Sequence, residues 1–519
     1  MIKNFYLIGL VLLAGCNSTQ KASGEPAAAP NAMDPTVYAS TITEQELKDH
    51  LYTYASDEFE GRETGTAGQK KAVNYIRKNY MDLGIPAAQT NGDYFQKVPL
   101  EMAKLPKGSL SINGKTYTSG EDFITFSAFE GNYDEMIYAG YGIEEPAYSD
   151  FQGLDVQGKV LLIKTGEPVN EDGTYTITGT DKPSSWSNMS EAPGKRLEVA
   201  QAKGAKAILF MDTDNYKRYE RYYQRMKRND QGRLGFEDDG TTPSLILISE
   251  NMAKEILPEI NELKSSVVRK ADVVASLMST NEPISTENVV AYIEGSEKPD
   301  EYIVISSHLD HIGVSRDGSI NNGADDDGSG TVALLEIAEA FQLATKVGKR
   351  PKRSVVFLHV TGEEKGLLGS RYYTDFDPVF PLAQTVVNLN IDMIGRIDPN
   401  REGNRNYIYL IGSDKLSSDL HVLSEEINKK YMNIELDYTY NNENDPNRFY
   451  YRSDHYNFAK NDIPIIFYFN GTHEDYHRPG DTPDKINYDL LTNRAKLVFY
   501  TAWAVANRNE RVMVDKTSK

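Results

Sequence analysis

The chain is poor in several things at once: one cysteine in 519 residues, two tryptophans, eight histidines, and 56 Lys and Arg against 76 Asp and Glu. A single cysteine, Cys16, excludes an internal disulfide, so stability must come from burial. The net charge of -20 excludes nucleic acid as a partner, because phosphate binding needs a basic surface. The one locally basic stretch, Lys217 to Arg228 in "KRYERYYQRMKR", reads as the solvated face of a helix. The apolar run from Phe5 to Leu13 is too short to span a bilayer.

What is present is an ordinary globular composition, 39% hydrophobic and 25% charged, in a chain longer than one core usually supports. Two domains are expected, or one domain with a large insertion. Lys3, the apolar run and the small residues up to Cys16 have the layout of a secretory signal, and "LAGC" resembles the lipobox of bacterial lipoproteins. That resemblance implies a signal over 1–16, lipidation at Cys16, and an exported protein of the periplasm or outer membrane that meets the membrane only through its anchor. Residues 17–40, rich in Ser, Ala, Pro and Gly, are expected to be a flexible tether.

From residue 41 the pattern becomes helical, with Thr43 as an N-cap and a second helix running to a stop at Gly84. Residues 41–104 are read as the first part of the main domain. Residues 105–278 change texture to short strands and turns, and "VQGKVLLIK" followed by "AQAKGAKAILFM" resembles the protease-associated (PA) domain, which implies a small β-rich insertion. From 279 to 510 apolar strands alternate with amphipathic helices. The fold class expected is α/β, a mostly parallel mixed sheet with helices on both faces and a smaller β-rich insertion. In such sheets chemistry gathers at the carboxyl ends of strands.

Five clusters lie at such ends. "SHLDH" follows "YIVI", with Asp310 two residues after His308 and able to orient its ring. "NNGADDDGSG" sets Asp325, Asp326 and Asp327 in a permissive loop, "GEEKGLLGS" begins with Glu363 and Glu364, "NID" ends at Asp392, and "HEDYHRPGDT" holds His477 between Tyr476 and Asp481. Each alone has an ordinary explanation, such as acids capping a helix N-terminus. Together, two imidazoles and three or more carboxylates form a ligand set for borderline divalent metals, zinc first. The loop lacks the alternating acids of an EF-hand-type calcium site.

The segments "EFEGRETGTAG", "SHLDH", "GADDDGSG", "GEEKGLLGS", "NIDMIG" and "YHRPGDT" resemble, in order, those of the co-catalytic zinc aminopeptidases related to aminopeptidase Y, glutamate carboxypeptidase and the transferrin receptor. The resemblance spans residues 41–505 and implies a zinc exopeptidase fold of the phosphorylase/hydrolase-like kind with two Zn²⁺ per chain. By it, His308 and Asp392 hold one zinc, Glu364 and His477 the other, and Asp326 bridges them, with Asp325 and Asp327 as flanking support. It also makes Glu363 the general base for a two-zinc-activated water. Tyr476 is placed either to donate to the oxyanion or to pack; Arg452, Ser453 and Asp454 either contact substrate or serve structure. The function expected is a zinc metallo-aminopeptidase acting on peptide substrates. A carboxypeptidase of the glutamate carboxypeptidase type is the alternative, ahead of a glutaminyl cyclase or an inactive receptor-like protein.

Overall fold

The computed structural model describes residues 34–517 except 190, 231, 238 and 239. The expected signal, Cys16 and most of the expected tether lie outside the described residues. Among the described residues no helix is long and apolar enough to cross a membrane.

The chain enters through three helices. The expected tether stops short of residue 40, because Asp34 caps α1 (Pro35–Ala39) and Pro35 presets its first turn. Tyr38 then packs 5.4 Å from the Trp503 ring. Thr43 caps α2 (Glu44–Tyr54) through the Glu46 N–H at 3.2 Å and donates to its carboxylate at 2.7 Å, a reciprocal cap. Thr66 opens α3 (Ala67–Leu83), which ends at Gly84 with φ 71°, the left-handed conformation that glycine adopts most easily.

Nine strands build the main sheet: β1 (Phe95–Ala103), β2 (Arg233–Phe236), β3 (Asn281–Ile293), β4 (Lys298–His308), β5 (Arg353–Val360), β6 (Thr385–Ile391), β7 (Tyr407–Ile411), β8 (Glu435–Asp437) and β9 (Ile465–Phe469). Their spatial order is β2-β1-β3-β5-β4-β6-β9-β7-β8. The parallel character expected of the sheet resides in the central four, β5-β4-β6-β9, with Ile303 beside Val355, Ile305 beside Leu389 and Asn390 beside Phe467, and in one edge pair, β7 and β8. On one flank β2, β1 and β3 pair antiparallel, as chain geometry requires where the strand leading out to residues 105–278 lies beside the strand leading back.

The central strands are apolar on both faces. Ile303, Ile305, Val355, Phe357 and Leu389 face a core shared with Leu51, Val73, Phe341 and Phe499. Val304, Val356, Leu358 and Ile465 face Tyr373 and Phe458 on the other side. Successive side chains thus go to opposite faces. The first face is covered by α2, α3, α4 (Gly330–Lys346) and α5 (Tyr488–Asn507).

A second sheet of eight strands lies wholly within residues 107–278. Its middle strands, Phe129–Tyr138, Val160–Lys164, Ala207–Met211 and Ser244–Ile248, are parallel neighbours. The helix over the basic stretch, Tyr216–Asn229, buries only Tyr223 and Met226. β2 departs from the expected division: it comes from within 105–278 yet pairs with β1 of the main sheet. The 105–278 segment is thus joined to the main sheet by a backbone ladder as well as by the chain crossings.

Candidate metal centre

Each central strand delivers one part of the site. β4 ends on His308, the turn after β5 carries Glu363 and Glu364, β6 is followed by Asp392, and the loop after β9 carries His477. Asp326 comes from the loop that feeds α4. Its carboxylate stands between two imidazoles, with Oδ1 3.2 Å from His308 Nε2 and Oδ2 3.1 Å from His477 Nε2. Asp392 Oδ1 lies 3.5 Å from His308 Nε2, and Glu364 Oε2 lies 3.1 Å from His477 Nε2. Glu363 stands back, 4.0 Å from His308 Nε2.

Asp310 acts differently from the sequence expectation. It is its main-chain carbonyl, not its carboxylate, that accepts from His308 Nδ1 at 3.0 Å, leaving Nε2 to face the acids. The carboxylate points elsewhere, accepting from Thr64 at 2.7 Å and from the Glu363 N–H at 3.1 Å. The reason is local: the chain turns after β4, so the carbonyl rather than the side chain meets the ring. Asp310 therefore positions Glu363 by its carboxylate and His308 by its backbone.

The flanking acids hold the loop. Asp327 accepts from the N–H groups of His308, Gly330 and Met393 at 3.2, 2.9 and 3.1 Å, tying β4, α4 and the end of β6 together. It lies as close to His308 and Asp392 as a metal ligand would, but those three donors already engage its oxygens. Asp325 accepts from Gly395 N at 2.7 Å and Asn470 Nδ2 at 3.1 Å, with His473 Nε2 3.2 Å away. Asp481 accepts from the N–H groups of Asp325 and Asp326. The permissive loop backbone has a steric cause. At Gly323, with φ 55°, a Cβ would lie 2.6 Å from the His311 ring, and at Gly330 it would lie 2.3 Å from the Asp327 carboxylate.

The early segment "EFEGRETG" reaches the same place. The buried Arg62 guanidinium donates to the carbonyls of Tyr54, Asn322 and Gly323 at 3.2, 2.7 and 2.8 Å, and so clamps the loop before Asp326.

Two histidines were missed by sequence reasoning. His473 sits behind Asp325. His311 is fully buried, and its Nδ1 lies 2.7 Å from Glu364 Oε1 and 3.8 Å from Asp326 Oδ2. The signal was present in "HLDH", where the second histidine lies three residues from the first.

A cavity opens on the cluster, lined by Asp326, Glu363 and Asp392 together with Met393, Phe449 and Phe467. Tyr476 and Arg452 also line it; the Tyr476 ring stacks 3.9 Å from His477. Ser453 donates to Asp392 Oδ2 at 2.6 Å, and Asp454 accepts from Ser370 away from the cavity. His455 is a packing residue, stacked 4.5 Å from Phe467 and bonded to the Tyr450 carbonyl.

The electrostatics run in one direction. Burial works against a charged His477, yet the Asp326 and Glu364 carboxylates outweigh it and push its imidazolium up to about 10. His308, also opposed by burial, is raised by Asp392, Glu363 and Asp326. Burial pushes the Glu363 carboxyl well above its ordinary value. Buried carboxylates this close demand positive charge among them. Four atoms that face the cluster, His308 Nε2, His311 Nδ1, Asp326 Oδ2 and Glu364 Oε1, have no hydrogen-bond partner. Unpartnered imidazole nitrogens converging with carboxylate oxygens are the donor set of a zinc site.

These features define an α/β protein whose parallel strands end on a buried cluster of histidines and carboxylates that could hold metal. The model of Peptidase family M28 matches residues 288–502, the stretch that carries every one of these donors. The probable leucine aminopeptidase 2 of Aspergillus oryzae is 26% identical over 89% of this chain and 82% of its own length. The probable glutamate carboxypeptidase LAMP1 of Arabidopsis thaliana is 34% identical, over 20% of this chain and only 14% of its own. Among solved structures, the aminopeptidase from Aneurinibacillus sp. strain AM-1 aligns over 93% of this chain and 99% of its own at 18% identity, with a TM-score of 0.46.

Proposed function

We propose that the protein is a zinc-dependent aminopeptidase that hydrolyses the N-terminal peptide bond of peptides. The observation that carries this reading is Asp326, whose two oxygens face one imidazole each at 3.2 and 3.1 Å, as a carboxylate shared by two metals would. His308 and Asp392 would hold one zinc, His477 and Glu364 the other. Bound there, zinc would supply Lewis acidity and bring the pKa of water from about 16 to about 7.

The chain's own groups do the rest. Glu363, backed by Asp310 through its N–H, takes a proton from the attacking water and returns it to the leaving amine. Ser453 holds Asp392 in place by donating to Oδ2. The Tyr476 hydroxyl, whose ionisation burial disfavours, stays protonated and donates to the oxygen that gains charge in the transition state. The apolar wall of Met393, Phe449 and Phe467 receives a hydrophobic side chain and excludes water.

Polarity is tested with one peptide capped at either end. N-terminal acetylation should abolish cleavage, and C-terminal amidation should leave it intact. One observation favours the carboxypeptidase alternative: Arg452, a cation on the cavity wall, has no carboxylate within 4.0 Å among the described residues and touches only the Tyr476 hydroxyl, at 3.4 Å, and the Phe449 ring. A guanidinium so placed can take a substrate carboxylate. The reverse result with the capped peptides, lost again in Arg452→Gln, would establish that reading.

The same proposal includes export and anchoring through Cys16, supported by "LAGC" and the low-complexity stretch after it. Cys16→Ser should shift the protein out of the membrane fraction; unchanged fractionation would remove the anchor from the proposal.

A further inference from the structure

We propose that His311 is a further metal ligand, and that it makes the two metal positions unequal. The inference rests on the two-zinc reading above and deepens it.

Two buried histidines away from the carboxylates, His359 and His455, show a packed imidazole with at least one ring nitrogen bonded, whereas His473, like His311, has neither nitrogen bonded and lies 3.2 Å from an acid, Asp325. His359 has the Tyr80 hydroxyl on Nε2 at 2.7 Å and the Ser307 hydroxyl on Nδ1 at 3.1 Å. His455 has the Tyr450 carbonyl at 2.8 Å and a stacked phenylalanine. His311 is equally buried, yet neither ring nitrogen has a hydrogen-bond partner. Nδ1 comes within 2.7 Å of Glu364 Oε1 without hydrogen-bond geometry. Two such orphaned nitrogens on one ring are costly in a protein interior unless another group uses one of them.

The ring is held by its surroundings rather than by polar partners. The His311 N–H donates to the Arg62 carbonyl, and the ring lies against Gly323, where any side chain would collide with it. It stands edge-on to His477 at 5.8 Å between centroids. Its Nδ1, Asp326 and Glu364 offer atoms that all lie within 4.8 Å of one another, and His477 Nε2 joins them at 3.1 Å from both acids.

Counting donors gives the asymmetry. His311, His477, Asp326 and Glu364 surround one position. His308, Asp326 and Asp392 surround the other, since Ser453 occupies Asp392 Oδ2 and three N–H groups occupy Asp327. Four protein donors close a zinc site, whereas three leave it open for water and substrate. The open position belongs to His308, on the side of Glu363; the closed one retains its metal and anchors Asp326 and Glu364.

The test is zinc content of the purified protein against rising chelator, read by elemental analysis. The wild type should lose one zinc per chain at low chelator and keep the second to at least 10-fold higher concentration. His311→Ala should lose both together. A His311→Ala curve that keeps the wild-type two steps overturns the proposal. A measurement on the wild type needs no variant to fold: cobalt-substituted protein should show three solvent-exchangeable, hyperfine-shifted imidazole N–H resonances, for His308, His311 and His477. Two resonances overturn ligation, and with a weakened His311→Ala they would make His311 a residue that only positions Glu364. A wild type that binds fewer than two metals overturns the two-zinc reading itself, and this proposal with it.

Discussion

The nine-stranded and eight-stranded sheets share a layout: parallel strands in the middle, buried on both faces, with antiparallel strands at the flanks. Their strand ends differ. In the eight-stranded sheet Lys164 donates to the Ile260 carbonyl, Asp212 accepts from the N–H groups of Asp214 and Asn215, and the buried Arg196 donates to the carbonyls of Tyr141, Trp186, Ala192 and Gly166. Among the described residues, no buried side-chain polar atom between 105 and 278 lacks a partner. In the nine-stranded sheet the strand ends converge on nitrogens and oxygens that do lack one. Position at the carboxyl end of a parallel strand therefore does not make a site; polar atoms left unsatisfied by the protein do.

The largest effect should come from removing what those atoms await. Chelation should abolish peptidase activity and leave Trp186, in the eight-stranded region, with unchanged emission. Glu363→Gln should keep the wild-type zinc content while losing about 10² to 10⁴ in kcat, the usual worth of a general base. Glu364→Gln should lose zinc, and added metal should restore activity only in part. Zinc analysis of both variants decides the matter: loss of metal from Glu363→Gln with retention in Glu364→Gln would reverse the two roles.

That the two acids diverge was legible in the sequence because they sit next to each other after an apolar strand; which of them would hold metal was implied only by the resemblance. The central parallel strands were legible for the same reason, as uninterrupted apolar runs ending in His, Glu or Asp. His311 was not, although it stands in the same five residues as His308, because a turn after the strand decides whether a side chain comes back to the cluster. Asp310 shows the converse: its spacing from His308 suggested a side-chain contact, and the turn supplied a carbonyl instead. β2 was beyond reach too, since a four-residue strand joins whichever sheet edge its flanking chain can approach. The early helix α1 carried a usable signal in Asp34-Pro35, masked by the low-complexity residues before it.

Acid should separate the two regions next. All eight histidines lie outside 105–278, and burial pushes both His359 and His455 down to about 3. A base held neutral by the fold loses nothing above its unfolded pKa near 6.5. Below that, the unfolded chain takes a proton that the folded chain refuses, so stability falls until about pH 3. At pH 5 the loss is about 2 kcal/mol for each group. Denaturation should therefore weaken between pH 7 and 5 when followed by Trp503, in α5, more than when followed by Trp186. His359→Gln should flatten the Trp503 pH dependence by its share; an equal slope in that variant would show that His359 is protonated in the folded protein.

Two buried arginines then compare the regions directly. Arg62 and Arg196 each donate to three or more main-chain carbonyls. Replacement of either by Met leaves those carbonyls buried without a donor and should cost about 3 kcal/mol of stability. Only Arg62→Met should also lower zinc content, because only Arg62 holds the loop before Asp326. Zinc loss in Arg196→Met would show that the eight-stranded region supports the site and would break the comparison.

The smallest expected effects come from helix caps, one in each region. Thr43 accepts from the Glu46 N–H at the start of α2, and Ser249 accepts from the Met252 N–H at the start of the short helix Glu250–Ile256, both at 3.2 Å. Removing a hydroxyl cap leaves one main-chain donor to water and costs about 1 kcal/mol, so Thr43→Ala and Ser249→Ala should lower stability alike. Their reach should differ. α2 carries Tyr54, whose hydroxyl donates at 2.8 Å to the carbonyl of Leu309, the residue after His308, whereas the helix capped by Ser249 packs Met252 and Ala253 into the core of the eight-stranded sheet. Hydrogen exchange should accordingly rise around His308 in Thr43→Ala and stay at the wild-type rate there in Ser249→Ala. Faster exchange at His308 in both would mean that the 105–278 segment, which pairs with the main sheet through β2, transmits strain to it, and that the two regions fold as one cooperative unit.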